Sequence, residues 1–199
     1  MNDSEQPPEQ VVWSGQYITT KVRGTWEYVS RSRGIRAAVI LAVDETGHVL
    51  LVEQYRVPLG RPCIELPAGL IGDHDHLAGE DDCIAAAREL EEETGYRAGT
   101  MEVNGEFWSS PGMVSESYTL IRARDLVRVG EGGGTDGENI TVHRVALGEL
   151  PAFVAACRQR GLAAGGFGEP VFLVPGQRNV AHLRHHPARA HRAQVARLA

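Results

Sequence analysis

The sequence predicts an α/β fold with a central sheet, preceded by an N-terminal antiparallel β segment. Three observations lead to it. Residues 80–94 lack Pro and Gly, are dominated by Ala and Glu, and repeat Cys83, Ala87, Leu90 and Thr94 at helical spacing. Around them stand short apolar runs bounded by turn residues, which read as core strands. Ahead of these, residues 11–29 alternate apolar and polar side chains in β-like runs anchored by Trp13, Tyr17, Trp26 and Tyr28.

Composition bounds the answer. At 199 residues, 42% hydrophobic and 23% charged, the chain is long enough for one sizeable core. A formal net charge of −6 argues against bulk nucleic-acid binding. Lys21 is the only lysine, so nearly all positive charge is planar guanidinium, the group that matches phosphate geometry. Cys63, Cys83 and Cys157 form neither a CxxC metal pattern nor a disulfide framework, which points to reduced thiols and a cytoplasmic setting. Residues 1–10 are polar, with Pro7 and Pro8, and have neither a basic start nor an apolar stretch, so no signal peptide or membrane span is expected.

In chain order, residues 11–29 read as one or two hairpins and residues 31–36 as a basic turn. Strands follow at 37–43 and 49–54, separated by the turn Asp44-Glu-Thr-Gly47. A loop with Gly60 and Pro62 then leads into Ile64 and the run Glu65-Leu-Pro-Ala-Gly69. Residues 72–79, which include Asp73, His74, Asp75 and His76, read as a hydrated polar loop. Those four are competent transition-metal ligands by type, but they alternate in a flexible loop. After the helix, which Gly95 closes, come strands at 101–108, 118–123 and 140–147, with Ser109-Ser-Pro-Gly112 breaking the first. Residues 128–139 are Gly-rich and acidic and read as a mobile loop. A helix over 150–161 follows, then a C-terminal stretch rich in Pro, Arg and His that reads as a short helix plus a partly disordered tail.

The helix holds the chemistry. Glu89, Glu92 and Glu93 place three carboxylates on one face, which costs a few tenths of a kcal/mol per pair in mutual repulsion. A divalent cation would relieve that cost, because clustered carboxylates at one-turn spacing are the hard oxygen donors that Mg2+ or Mn2+ prefers. Arg88 stands beside them as an internal counter-charge.

Glu80, Arg88, Glu89, Leu90, Glu92, Glu93, Gly95 and Tyr96 fall in the register of the Nudix box, so the chain resembles the Nudix hydrolases. One departure is clear: ten residues separate Gly69 from Glu80, an apparent five-residue insertion that alters the loop before the helix. The resemblance implies an α/β/α sandwich with a mixed central sheet, with 1–36 as leader and dimerising β segment, 37–162 as catalytic domain and 163–199 as an extension. The Gln-Tyr-Arg run ending at Arg56, shortly before Glu65-Leu-Pro-Ala-Gly69, is similar to the ADP-ribose pyrophosphatase branch. So is Pro111, fifteen residues beyond Tyr96.

That branch implies a Mg2+-dependent hydrolase, with Mn2+ as substitute, acting on a nucleoside diphosphate-sugar and yielding AMP and ribose 5-phosphate from ADP-ribose. Metal ligands would be the Ala68 carbonyl, Glu89, Glu92 and Glu93. The Pro-Ala-Gly turn would aim that carbonyl inward because Gly69 tolerates unusual torsion angles. Arg56, Ser110 and Pro111 would meet substrate; Arg88 would fix the glutamates. Glu138, carried by the mobile loop, or a helix carboxylate would take the proton, with Glu131 and Asp136 as competitors to Glu138, and Glu92 would hold a metal or orient its inner shell. A homodimer is implied, in which the N-terminal segments exchange and wall the adenosine, with Glu27 an adenine contact and Trp26 or Tyr28 a stacking surface. Two other readings stand beside this one: a GDP-sugar pyrophosphatase sharing the metal helix, and a non-catalytic Nudix-like sensor of ADP-ribose.

Overall fold

The structure is a computed structural model describing residues 6–32, 35–71, 81–135 and 137–165. The inserted loop at 72–79, Glu80, Asp136 and the C-terminal stretch beyond 165 lie outside the described residues.

The N-terminal segment forms a three-stranded antiparallel meander, β1 (Gln10–Ser14), β2 (Ile18–Arg23) and β3 (Trp26–Arg31). Two four-stranded sheets of mixed orientation follow. One runs in the order β7 (Ala68–Ile71), β4 (Arg36–Ala42), β9 (Ser117–Arg128), β8 (Tyr96–Trp108), with β4 and β9 parallel and the other pairs antiparallel. The other runs β10 (Thr141–Ala146), β5 (His48–Arg56), β6 (Arg61–Glu65), β11 (Ala163–Ala164), with only β6 and β11 parallel.

Among the described residues the α-helices are α1 (Asp82–Thr94) and α2 (Leu150–Gln159). Successive side chains of a strand face opposite ways, and here each face meets its own helix. Ala38, Ile40, Ala42 and Leu50 pack with Ala85, Ala86 and Leu90 of α1, whereas Leu41, Val49 and Leu51 pack with Leu150 and Val154 of α2. That alternation makes the α/β/α sandwich. Leu90 is fully buried, so its side chain contributes about 2 kcal/mol of transfer free energy.

Local chemistry explains the helix ends. Asp81 caps α1 by accepting the backbone N–H groups of Cys83 and Ile84, at 2.9 and 3.3 Å. The helix therefore starts two residues later than its amino-acid periodicity suggests.

Strands β8 and β9 run well past the apolar stretches at 101–108 and 118–123, because cross-strand pairing from Tyr96↔Arg128 to Trp108↔Ser117 carries polar residues along. Pro62, expected in a loop, stands second in β6 opposite Tyr55. Proline is tolerated near a strand start, where a missing N–H costs least.

Candidate functional site

The face of α1 carrying Glu89 and Glu93 lies against β7. Glu93 is 5% exposed, and its Oε2 accepts the backbone N–H of Ala68 at 3.1 Å. Glu89 lies across Gly69, where an added Cβ would stand 2.1 Å from the Glu89 Cγ. Gly69 has no positive φ; its role is room for Glu89 rather than the torsional freedom its sequence position suggests. Arg88 donates from Nη1 to Glu89 Oε1 at 2.8 Å and to Glu92 Oε2 at 3.4 Å, so it spans the two carboxylates.

Burial dominates the electrostatics. It pushes the Glu93 carboxyl up to about 8, with the charges of Glu89 and Glu138 adding to the rise and the Ala68 N–H and Arg56 opposing it. Burial also raises Glu89, against the pull of Arg88. Among the described residues no three His, Cys, Asp or Glu side chains converge closely enough to cage a cation unaided. A cation held here would need backbone and solvent or substrate oxygens as well.

Arg56 ends β5 beside this face. Its Nε donates to Glu65 Oε2 at 2.6 Å, and its charge reaches Glu93. Glu65, the first residue of the Glu-Leu-Pro-Ala-Gly run, thus holds the arginine. Sequence reasoning gave Glu65 no role, since a pairing set by the β5–β6 hairpin has no signal in local spacing.

The Gly-rich loop differs most from expectation. It is pinned along the C-terminal end of α1: Gly133 donates to Glu93 O at 2.9 Å and Gly134 to Glu92 O at 3.0 Å, while Val129 and Gly130 donate to Gly95 O. These N–H groups satisfy carbonyls that a helix end leaves without intrahelical partners. The approach is so close that a Cβ on Gly132, at φ +70°, would stand 2.4 Å from the Thr94 carbonyl carbon. Gly132 thus has no room for a side chain against the helix end.

This docking carries Glu138 toward the cluster. Its Oε2 accepts the Thr135 N–H at 2.8 Å and lies 3.2 Å from Thr135 Oγ1. Its charge raises both Glu89 and Glu93. Glu131, one competitor for the base role, turns outward instead: its side chain is 95% exposed and pairs with Arg128.

Pro111 lies elsewhere, in a cleft of about 590 Å3 on the N-terminal sheet, lined among others by Trp26, Tyr28, Trp108 and Pro111. Ser110 accepts the backbone N–H groups of Met113 and Val114, forming the turn that sets Pro111 on the cleft wall. This turn is tied to β3 through Val29 and the Ser30–Ser115 hydroxyl pair. Glu27 stands between Trp26 and Tyr28 on β3, so strand alternation directs it to the opposite face from this cleft. Inside the cleft, Glu9 pairs with Lys21, Arg23 and Tyr28. The sequence singled out none of those pairings.

Comparison with known proteins agrees with this geometry. The NUDIX domain model matches residues 33–162. An ADP-ribose pyrophosphatase of Mycobacterium tuberculosis is 42% identical over 94 residues, 47% of this chain and 44% of the relative. A GDP-mannose pyrophosphatase of Cronobacter sakazakii is 38% identical over 125 residues, 59% of this chain and 62% of the relative. The chain spans about half the length of the first curated relatives it matches. A crystal structure of an ADP compounds hydrolase superposes with a TM-score of 0.59 at 21% identity, covering 75% of this chain and 82% of that one, which shows a shared fold. The carboxylate helix packed on β7, the sandwich around it and a match over most of the described residues lead to one conclusion: this chain belongs to the NUDIX domain family.

Proposed function

We propose that the chain hydrolyses the diphosphate of ADP-ribose to AMP and ribose 5-phosphate, with Mg2+ as cofactor and Mn2+ as substitute. The observation that carries this reading is the pair of buried carboxylates, Glu89 and Glu93, set against the backbone of Ala68 and Gly69 with Arg56 at the adjoining strand end.

The donor chemistry fits a hard divalent cation. All the donors are oxygens, and burial, with a smaller contribution from neighbouring carboxylates, raises the proton affinity of both glutamates, a cost that a bound cation would offset. Glu89, Glu93, Glu92 and the Ala68 carbonyl would hold the ion. When bound, it would neutralise the anionic diphosphate and make its phosphorus more electrophilic.

The chain's own residues do the rest. Arg56 holds diphosphate oxygens through the Nη groups that Glu65 leaves available, by charge-assisted hydrogen bonds. Arg88 keeps Glu89 and Glu92 in place. Glu138 takes the proton of the attacking water, a role favoured over Glu131 by its influence on both metal-face glutamates.

The aromatic cleft with Trp26, Tyr28 and Pro111 supports a nucleoside substrate. The strand β1 exposes Val11, Val12 and Trp13 at 60%, 64% and 55%, an apolar edge suited to a second copy of the chain in a homodimer, across which Glu27 would reach adenine. On this reading residues 1–36 form the dimerising segment, 37–162 the catalytic domain and 163–199 an extension. Three free cysteines agree with a cytoplasmic setting. Among the described residues no helix is long and apolar enough to cross a membrane.

The similarity to a GDP-mannose pyrophosphatase supports the second reading, a GDP-sugar substrate. Incubation with ADP-ribose, GDP-mannose, NADH and diadenosine polyphosphates plus Mg2+, followed by AMP or GMP release, separates the readings. ADP-ribose is expected to turn over fastest. Preference for GDP-mannose would transfer the assignment, and binding of ADP-ribose without turnover of anything would leave only a sensor.

A further inference from the structure

We infer that Glu65 is the positioning residue for Arg56, and that residues 65–69 hold the arginine and the α1 carboxylates in one register. The inference rests on Arg56 meeting the diphosphate.

Glu65 and Arg56 sit on the two strands of one hairpin, β5 and β6. The contact runs through Nε to Oε2 at 2.6 Å, which leaves the N–H groups of both Nη atoms unused by the carboxylate. The carboxylate is recessed and the guanidinium is not: the side chains are 17% and 40% exposed. A long flexible side chain, 40% exposed, is thus anchored at its Nε edge while its Nη groups stay free of the carboxylate, the arrangement a bidentate phosphate contact needs. Without the anchor, Arg56 would surrender its rotamer freedom when substrate binds, and that ordering would subtract from affinity.

The anchor is itself fixed. Leu66 and Pro67 are buried, and Pro67 O accepts the Ile40 N–H at 2.8 Å. Gly165 closes the other side, donating to Ile64 O at 3.0 Å, and a Cβ there would stand 3.3 Å from Glu65 Oε1. Three residues beyond Glu65, the Ala68 N–H binds Glu93. One short buried segment therefore grips the diphosphate arginine at one end and a metal-face glutamate at the other.

Steady-state kinetics with ADP-ribose and Mg2+ on Glu65→Gln, Arg56→Lys and the double variant test this. Glu65→Gln is expected to raise KM about tenfold with kcat within about threefold, the effect of losing one charged hydrogen bond that orients a binding group. Lysine has no Nε–H to anchor, so the double variant should have the KM of Arg56→Lys alone. KM does not depend on the fraction of active protein, so partial misfolding of a variant does not imitate this pattern.

Glu65→Gln with an unchanged KM beside a raised KM for Arg56→Lys overturns the positioning role alone. So does a double variant whose KM is the product of the two single effects. An Arg56→Lys variant with wild-type KM and kcat removes Arg56 from the diphosphate and overturns both the inference and that part of the proposed function.

Discussion

Replacing Glu93 by Gln should make the metal-free protein more stable at pH 8 while destroying its activity. Glu93 is 5% exposed, and its carboxyl is raised from 4.5 to about 8, chiefly by burial. An acid whose pKa is higher in the folded state than in the unfolded one binds its proton more tightly when folded. Its stabilising effect is complete below pH 4.5 and is lost as pH rises toward 8. Integrating that difference gives a loss of about 3–4 kcal/mol between pH 5 and pH 8 for this one group. Gln keeps the shape and can still accept the Ala68 N–H, yet has no charge to bury. Urea denaturation in EDTA at pH 5 and pH 8 reads the effect. Wild type should lose stability across the interval, and Glu93→Gln should lose less by roughly the amount above. Added Mg2+ should restore wild type at pH 8 and leave the variant unmoved. Equal pH slopes for the two proteins would refute both the buried-charge reasoning and the assignment of Glu93 to the metal face. Asp44, held down to about 2, acts outside this window: its stabilising effect is present above pH 3.8 and is lost as pH falls through about 2.

Gly69→Ala places a methyl group 2.1 Å from Glu89 Cγ, and a flexible side chain will yield before the backbone does. Stability should change by less than about 1 kcal/mol, while turnover falls about 100-fold because Glu89 is displaced; a wild-type rate would mean that Glu89 does not act from this position. Glu138→Gln should lower kcat by about 100-fold or more with KM little changed, and Glu131→Gln should leave both unaltered. The reverse result would move the base role to Glu131. Gly132→Ala combines a strained φ of +70° with a contact of 2.4 Å to backbone, so it should cost about 2–4 kcal/mol in urea denaturation and also reduce kcat by dislodging Glu138.

Residues with local causes were legible in the chain. The acidic face of α1, the Arg88 bridge and the terminating Gly95 follow from helical spacing and from αL chemistry within a few residues. The strand runs at 37–43 and 49–54 were visible because both faces of β4 and β5 are buried, which leaves unbroken apolar stretches. The polar ends of β8 and β9 were not, since pairing rather than composition extends them.

Contacts between segments distant in the chain were beyond its reach. The sequence by itself determined which residue types gather on the helix, and so the oxygen donors that this face presents. Only the tertiary structure decided that Gly69 makes room for Glu89, that the glycines at 130–134 close onto a helix end, and that Glu65 takes Arg56 in hand. Spacing along a chain encodes a helix face, because one turn brings those residues together. The partner across a hairpin or a loop is set by how strands and loops pack, and no local pattern records it.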